Sequence, residues 1–306
     1  MTAIDIHRGT SNVLLPEQVS SEIWAKVLEE SAIMRLARRI NIPGTGLKIQ
    51  TITGEPQANW VDETASKPVS RHTFGKKTIV PYKLAVIEPF SNEFARDAEA
   101  LYEELIRRLP YALSAKFDAT VMGTSAPGSG FDVLGNCTKL SLIPDQNKTL
   151  YDRFVEVDAK IAEANGVMSG IALSPAGKSK VLGAVDGQGR PLFTPGVGSN
   201  TIGNILGAPV SIAKAIHVAG TAGSTAAIEG LAGDFSDAVY GTVEGVKMSI
   251  SDQATLTDSD SSTINLWQQN MFAVRAEIEV AFAVKNAAEF VLLTGDTPTS
   301  SGVVGA

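Results

Sequence analysis

The chain has 306 residues, of which 44% are hydrophobic and 19% are charged, and this composition is typical of a soluble globular protein and unlike that of a disordered one. Its formal net charge of −7 argues against a general affinity for nucleic acid or for an anionic membrane surface. A single cysteine excludes an internal disulfide, and no apolar run approaches the roughly 18 residues that suggest a membrane-spanning helix. We expect a soluble protein made in the cytoplasm.

The first 45 residues predict an N-terminal arm that ends in a short helix. Pro16 stands at a first helical position, where its missing N–H and fixed backbone angle are tolerated. Val19, Ile23 and Val27 then recur at helical spacing and predict one apolar face. We therefore assign residues 1–45 to an arm with a short amphipathic helix.

Residues 46–88 predict a long two-stranded excursion from the body of the protein. Glycine and proline interrupt strand-like pieces at 47–52 and 76–87, and the residues around the tip are basic. An isolated two-stranded ribbon is marginal in water, so we expect a neighbouring subunit to support it.

The tip of this excursion carries our candidate contact residues. Trp60 combines a large apolar ring with a polar edge and is the expected anchor, the alternative being that it packs within its own ribbon. Asp62 and Glu63 form either intersubunit ion pairs or a solvated turn. The suspected intersubunit contacts are Trp60, Asp62, Glu63, Lys67, Arg71, Lys76 and Lys77.

Apolar side chains recur every four residues from Leu101 to Val121 and predict one long helix over 91–121. Ser91 is the expected N-cap of this helix. Pro110 is expected to bend the helix without ending it, because the apolar stripe continues on both sides. A helix of this length extends over roughly 40 Å.

Residues 126–232 predict a separate lobe of mixed helices and strands. We expect helices at 151–164 and 175–182 and a strand at 171–174. Residues 207–210 are expected to introduce a further strand.

Residues 271–285 are the most informative stretch of the chain. Even positions are apolar, whereas Arg275, Glu277 and Glu279 occupy odd positions, so the period is two and the element is a strand. Its length, roughly 45 Å, matches that of the predicted helix, and the two elements are expected to lie along each other as a spine. We expect the charged face to meet water or an enclosed lumen, and we expect residues 296–306 to form a flexible tail.

Motifs for catalysis and metal binding are incomplete in this sequence. Residues 176–179 resemble the end of a phosphate-binding loop, but Ala172 stands where the leading glycine is required. Cys137 has no activating neighbour in the sequence and is interpreted as a small core side chain. The three histidines are far apart and have no ligand partner at metal-binding spacing. We therefore predict no enzyme activity, no cofactor and no metal site.

The order of these parts resembles the major capsid proteins of tailed bacteriophages, a fold that encapsulin nanocompartments also use. The resemblance covers about residues 14–294 and consists in the order and spacing of its landmarks. These landmarks are Leu15-Pro16, residues 58–63, 82–85 and 91–94 with Asp97, and then residues 187–192, 207–210, 233–235 and 288–291.

The resemblance implies an α+β fold of the phage major capsid type. Its parts are an N-terminal arm (1–45), an extended β-hairpin loop (46–88), a peripheral domain with the spine helix and the long strand (89–125 and 233–295), an axial domain (126–232) and a flexible tail (296–306). Some relatives join loop lysines to asparagines by isopeptide bonds with a nearby acid assisting. The corresponding crosslink candidates here are Lys67, Lys76, Lys77 and Asn286.

The resemblance also implies a function, namely a structural subunit that self-assembles into hexamers and pentamers of an icosahedral shell around double-stranded DNA. Its expected partners are other copies of the chain, a separate scaffolding protein, a portal and a decoration protein, with no membrane and no sequence-specific DNA contact. We expect it to be made in the host bacterial cytoplasm and to reside in the virion capsid. Two alternatives stay open: an encapsulin-like shell that loads an enzyme, and a hydrolase or transferase with a site in the axial domain.

Overall fold

The computed structural model describes residues 24–28, 30–52, 59–61, 63, 66–67, 69, 74–93, 98–144, 148–186, 188–193, 203–221, 224–257 and 262–296. Its helices are α1 (Ala32–Leu36), α2 (Ala98–Met122), α3 (Leu150–Glu163) and α4 (Pro175–Leu182). Its strands are β1 (Arg38–Asn41), β2 (Leu47–Ile52), β3 (Phe74–Ile79), β4 (Tyr82–Ser91), β5 (Thr138–Ser141), β6 (Gly170–Leu173), β7 (Asn204–Ile205), β8 (Ala208–Ile212), β9 (Ile228–Gly233), β10 (Ala238–Thr242), β11 (Lys247–Ser251), β12 (Thr255–Thr257), β13 (Thr263–Asn265), β14 (Met271–Val284) and β15 (Phe290–Thr294).

Both ends of the chain are described only in part. Residues 24–28 are helical and form part of the first helix that the sequence predicted. The preceding arm and the tail beyond residue 296 lie outside the described residues. None of the described helices is long and apolar enough to cross a membrane.

The long strand β14 organises the main sheet, which consists of β1, β10, β14, β11 and β4. β14 pairs antiparallel with β10, β11 and β4, whereas β1 lies parallel to β10. Its even-numbered side chains are buried, which confirms the predicted period of two. Only the middle of the opposite face is open, because Ala281 and Ala283 are buried against Ile42 and Ile79.

The long helix α2 continues through Pro110, as the sequence predicted, and its 25 residues extend over roughly 37 Å. Phe117 of α2 contacts Phe282 of β14 edge to face, with ring centroids 6.2 Å apart, so the helix packs on the buried face of the main sheet. The predicted N-cap is wrong. Ser91 is instead the last residue of β4, where it pairs with Met271, and α2 as described begins at Ala98.

A second sheet, with strand order β5-β15-β9-β6-β8-β7, builds the other lobe together with α3 and α4. Both helices were predicted within a residue of their observed bounds. Ser174 caps α4 by accepting a hydrogen bond from the N–H of Gly177, so the stretch 176–179 is an ordinary helical turn. β15 lies in this sheet, although the sequence grouped residues 233–295 with the long strand.

Strands β2 and β3 form the predicted two-stranded ribbon, paired antiparallel from Leu47 with Ile79 to Ile52 with Phe74. The sequence placed residues 76–87 in one strand-like piece, but the structure divides them at Val80 and Pro81. Residues 82–88 therefore belong to β4 and to the main sheet. A proline has no N–H to donate, which is consistent with a break in pairing at this point.

Candidate functional site

Lys77 fastens the base of the ribbon to the main sheet. Its Nζ lies 2.5 Å from a carboxylate oxygen of Asp132 and donates a hydrogen bond to the carbonyl oxygen of Val284. The same carboxylate accepts a hydrogen bond of 2.8 Å from the N–H of Val284. Both charged side chains are about one third exposed, so the pair contributes about 1 kcal/mol or less. Lys77, one of the suspected intersubunit contacts, thus has its described partners within its own chain.

Two glycines allow the backbone to pass closely at the same base. Gly46 and Gly130 have φ angles of +84° and +81°, which residues other than glycine rarely adopt. A Cβ on Gly130 would lie 2.9 Å from Val80 and 3.0 Å from the carbonyl oxygen of Thr78. The ribbon therefore leaves the main sheet from a fixed base.

The described residues near the tip of the ribbon are open to solvent. Trp60 has a relative exposure of 105%, so the alternative that it packs within its own ribbon is wrong. Val69 is 86% exposed, and Glu63 and Lys67 are exposed as well. Asp62 and Arg71 lie outside the described residues.

Neighbouring lysines on β3 have different surroundings because successive side chains of a strand point to opposite faces. Lys77 points toward Asp132, whereas Lys76 is exposed. Lys48, Lys67 and Lys76 are therefore the described ribbon lysines that are open to another molecule.

Asn286 caps a short 3-10 turn, Ala287–Glu289, and so has a local structural role. Its Oδ1 accepts a hydrogen bond from the N–H of Ala288 at 3.1 Å, and its Nδ2 donates one to Glu289 at 3.0 Å. Burial raises the pKa of Glu289, which is 6% exposed. An acid therefore lies beside the amide of Asn286, and the isopeptide crosslink to a ribbon lysine stays a prediction.

Cys137 is a half-buried thiol whose Sγ donates a hydrogen bond to the carbonyl oxygen of Ala287 at 3.2 Å. Burial raises its pKa to about 11, so the nucleophilic thiolate is rare at neutral pH. Within the part of the chain that the structure describes, no group of three or more His, Cys, Asp or Glu residues is placed to hold a metal ion.

A groove of about 750 Å³ in the second lobe is the place where an enzyme site would be sought. Lys180 lines it and forms ion pairs with Glu229 at 3.1 Å and Asp296 at 2.9 Å. Burial alone would lower the pKa of Lys180, but its hydrogen bonds to these two carboxylates outweigh burial and raise it. A lysine held protonated in this way is a poor general base, and the cluster resembles a structural ion pair.

The ribbon base includes contacts that sequence reasoning missed. Lys77 and Asp132 are 55 positions apart, and neither lies in a motif that would pair them. Trp60 was singled out from the sequence because its ring combines a large contact area with a polar edge, while the sequence left open whether it packs within its own ribbon.

Comparisons with known proteins agree on one family. A model of the phage capsid family matches residues 11–295. The chain is 32% identical over 294 residues to a probable major capsid protein of Mycobacterium phage D29, covering 92% of this chain and 89% of that one. It is 31% identical over 306 residues to the corresponding protein of Mycobacterium phage L5, covering 94% of this chain and 91% of that one.

Solved structures share the fold at lower identity. A protein of Mycobacterium phage Ogopogo superposes with a TM-score of 0.68 at 20% identity, covering 87% of this chain and 92% of that chain. The capsid of a native GTA particle superposes with a TM-score of 0.58 at 15% identity, covering 90% of each chain. The two relatives at 31% and 32% identity are phage proteins, which favours the phage interpretation over the encapsulin alternative. The chain belongs to the phage capsid family.

Proposed function

We propose that this chain is the structural subunit of an icosahedral bacteriophage shell that encloses double-stranded DNA, with copies arranged as hexamers and pentamers. One observation supports the ribbon as the main contact between copies: Trp60 is fully exposed at the end of an element that is marginal by itself. Burying an aromatic ring of this size on a neighbouring copy contributes strongly to an interface.

Charge distribution supports the same contact. Residues 46–88 contain six Lys or Arg residues and four Asp or Glu residues, a net charge of +2. Since the whole chain carries −7, the remainder carries −9. A basic ribbon is therefore attracted to the acidic body of the next copy, and the attraction acts before contact is made.

The domains that we propose follow the capsid plan, with two changes that the strand pairing supports. The arm (1–45), the extended loop, the peripheral domain, the axial domain and the tail (296–306) are kept. Residues 82–88 pass from the extended loop to the peripheral domain, because β4 pairs with β14. Residues 290–294 pass to the axial domain, because β15 pairs with β5 and β9.

The remaining partners follow from the proposed shell. A separate scaffolding protein, a portal and a decoration protein are proposed, and the net negative charge fits a wall that encloses DNA without binding its sequence. The subunit would be made in the host cytoplasm and carry out no chemical turnover.

The experiment compares Trp60→Ala and Trp60→Phe with the unchanged chain, expressed alone and with any adjacent scaffold gene. We expect Trp60→Ala to reduce the yield of closed shells or of rings of five and six strongly, and Trp60→Phe to retain part of it, since the phenyl ring keeps most of the contact area. Negative-stain electron microscopy with size-exclusion chromatography measures the yield. Shell formation by Trp60→Ala at the unchanged level would refute the ribbon contact, and a monomer or dimer in every preparation of the unchanged chain would refute the shell.

A further inference from the structure

A buried carboxylate joins the N-terminal segment to the long helix. Asp118 of α2 is 0% exposed, and its Oδ1 lies 2.6 Å from the hydroxyl oxygen of Ser31. Its Oδ2 accepts a hydrogen bond of 3.0 Å from the N–H of Ala32. These partners are 86 and 87 positions away in sequence, so the contact fixes two distant parts of the chain to each other.

The backbone conformation of Ser31 leaves N–H groups at the start of α1 available as donors to Asp118. Ser31 has extended backbone angles, φ −78° and ψ 120°, which interrupt the helical segment and leave the first N–H groups of α1 without a helical acceptor. The Ser31 hydroxyl caps Met34, and Asp118 satisfies Ala32. Ala32 is only 1% exposed, so without Asp118 this N–H would be buried and unpaired.

We propose that the joint between Asp118 and Ser31 is a proton-operated latch, which holds the N-terminal segment on the long helix firmly when Asp118 is protonated and more weakly when it is ionised. In the protonated form the carboxyl O–H can donate to the Ser31 hydroxyl while the other oxygen still accepts from Ala32. The joint is hydrogen-bonded in both forms, so its strength changes with pH while its geometry is kept.

The electrostatic surroundings give the direction of this change. Burial raises the pKa of Asp118 to about 7, and the hydrogen bonds from Ser31, Ala32 and Ile33 only partly oppose it. No charged group contributes to the shift. The charged side chains on the described segments packed around the joint include Lys26, Glu30, Arg35, Arg38, Arg39, Lys116 and Lys214.

The sign of the pH dependence follows from linkage. Opening the joint exposes Asp118 to water and returns its pKa to the ordinary value of 3.8. Between these two pKa values the closed joint binds a proton that the open joint releases. The ratio of closed to open joints therefore falls about tenfold per pH unit from about pH 4 to about pH 7 and stays constant above it.

Hydrogen exchange of the full chain, followed by mass spectrometry of peptides that cover residues 31–37, tests the latch. Protection of these amides, corrected for the intrinsic pH dependence of exchange, should fall about tenfold per unit between pH 5 and pH 7 and level off above pH 7.5. Amide protection in the unchanged chain that does not fall between pH 5 and pH 7 would overturn the proposal. This measurement needs no variant.

Asp118→Asn removes the ionisation and can keep both hydrogen bonds, because the amide oxygen accepts from Ala32 and the amide nitrogen donates to Ser31. Its protection should be independent of pH. Asp158→Asn, the same change at an exposed helical position, should keep the profile of the unchanged chain. A pH profile in Asp118→Asn equal to that of the unchanged chain would overturn the assignment to Asp118.

Discussion

Phe117 is the residue through which the long helix and the main sheet share one core. Its ring contacts Phe131 and Phe282 edge to face, with centroids 6.3 and 6.2 Å apart, and all three rings are buried. Such aromatic pairs stabilise the fold by more than their buried area alone provides. Because the surrounding core is close-packed, it cannot fill the space that a missing ring would leave.

Phe117→Ala is therefore expected to lower the free energy of unfolding by about 3 to 5 kcal/mol. Urea denaturation of the purified subunit measures the loss. Val167→Ala, at a site that is 73% exposed, is the control and should change the unfolding free energy by about 0.5 kcal/mol or less. Equal losses in the two variants would show that Phe117 is not a central packing residue.

Cys137 gives a second prediction at this scale. Because burial raises its thiol pKa to about 11, the thiolate fraction at pH 8 is roughly one in a thousand. We expect iodoacetamide to modify the folded protein far more slowly than the urea-unfolded protein at the same pH, with mass spectrometry as the measurement. Equal rates would mean that the thiol is neither buried nor hydrogen-bonded to Ala287.

Single residues were predictable from sequence where their environment is local. The even positions of β14 could be assigned to the core because alternation along one strand decides which face is buried. Asp118 could not be assigned in this way, since its hydrogen-bond partners are 86 and 87 positions away and its helix position does not distinguish a buried acid from a solvated one.

At the scale of elements, strand β14 offers a direct comparison of its two faces. Ile278 is 1% exposed and Glu277, its neighbour, is partly exposed and lies 3.2 Å from Arg275. Threonine favours strands, so the same new residue can be placed at both positions without opposing the strand.

We expect Ile278→Thr to lower the free energy of unfolding by roughly 2 to 4 kcal/mol, because it removes buried apolar atoms and buries a hydroxyl. Glu277→Thr loses a partly exposed ion pair and should cost about 1 kcal/mol or less. Urea denaturation of the two variants checks both values. A larger loss for Glu277→Thr would contradict the observed burial of the strand.

Elements with their own start and stop signals were predicted well. Ser174 and Pro175 mark the beginning of α4, and the alternation of charged and apolar residues marks β14. The sequence grouped part of β4 with the ribbon and β15 with the long strand, whereas β4 pairs in the main sheet and β15 in the second sheet. Each of these two strands directly follows a segment that belongs to another part of the fold. Which sheet a strand joins depends on pairing with distant strands, and its own residues do not encode that choice.

At the scale of the whole molecule, the two sheets are joined by short connections. The turn Ala287–Glu289 leads from β14 to β15, and the turn Phe235–Asp237 leads from β9 to β10. Asp234 accepts hydrogen bonds from Val167, Ser169 and Ser236 at this junction, and together these bonds lower its pKa although burial opposes them. Among the described residues, the contacts of the ribbon with the rest of the chain lie at its base, which is consistent with the proposal that an extended element reaches the next copy.

The charge separation between ribbon and body leads to the last prediction, which concerns assembly. Raising the NaCl concentration from 0.1 M to 1 M shortens the screening length from about 10 Å to about 3 Å, so attraction between the basic ribbon and the acidic body weakens. We expect the initial rate of shell assembly, followed by light scattering with scaffold present where it is needed, to fall as salt increases. Lys67→Gln should reduce both the rate at low salt and its salt dependence, because Lys67 is exposed on the ribbon. Lys139→Gln, an exposed lysine on β5, is the matched control and should leave both unchanged. A rate that rises with NaCl, or an equal effect of the two variants, would show that the ribbon is not guided by charge.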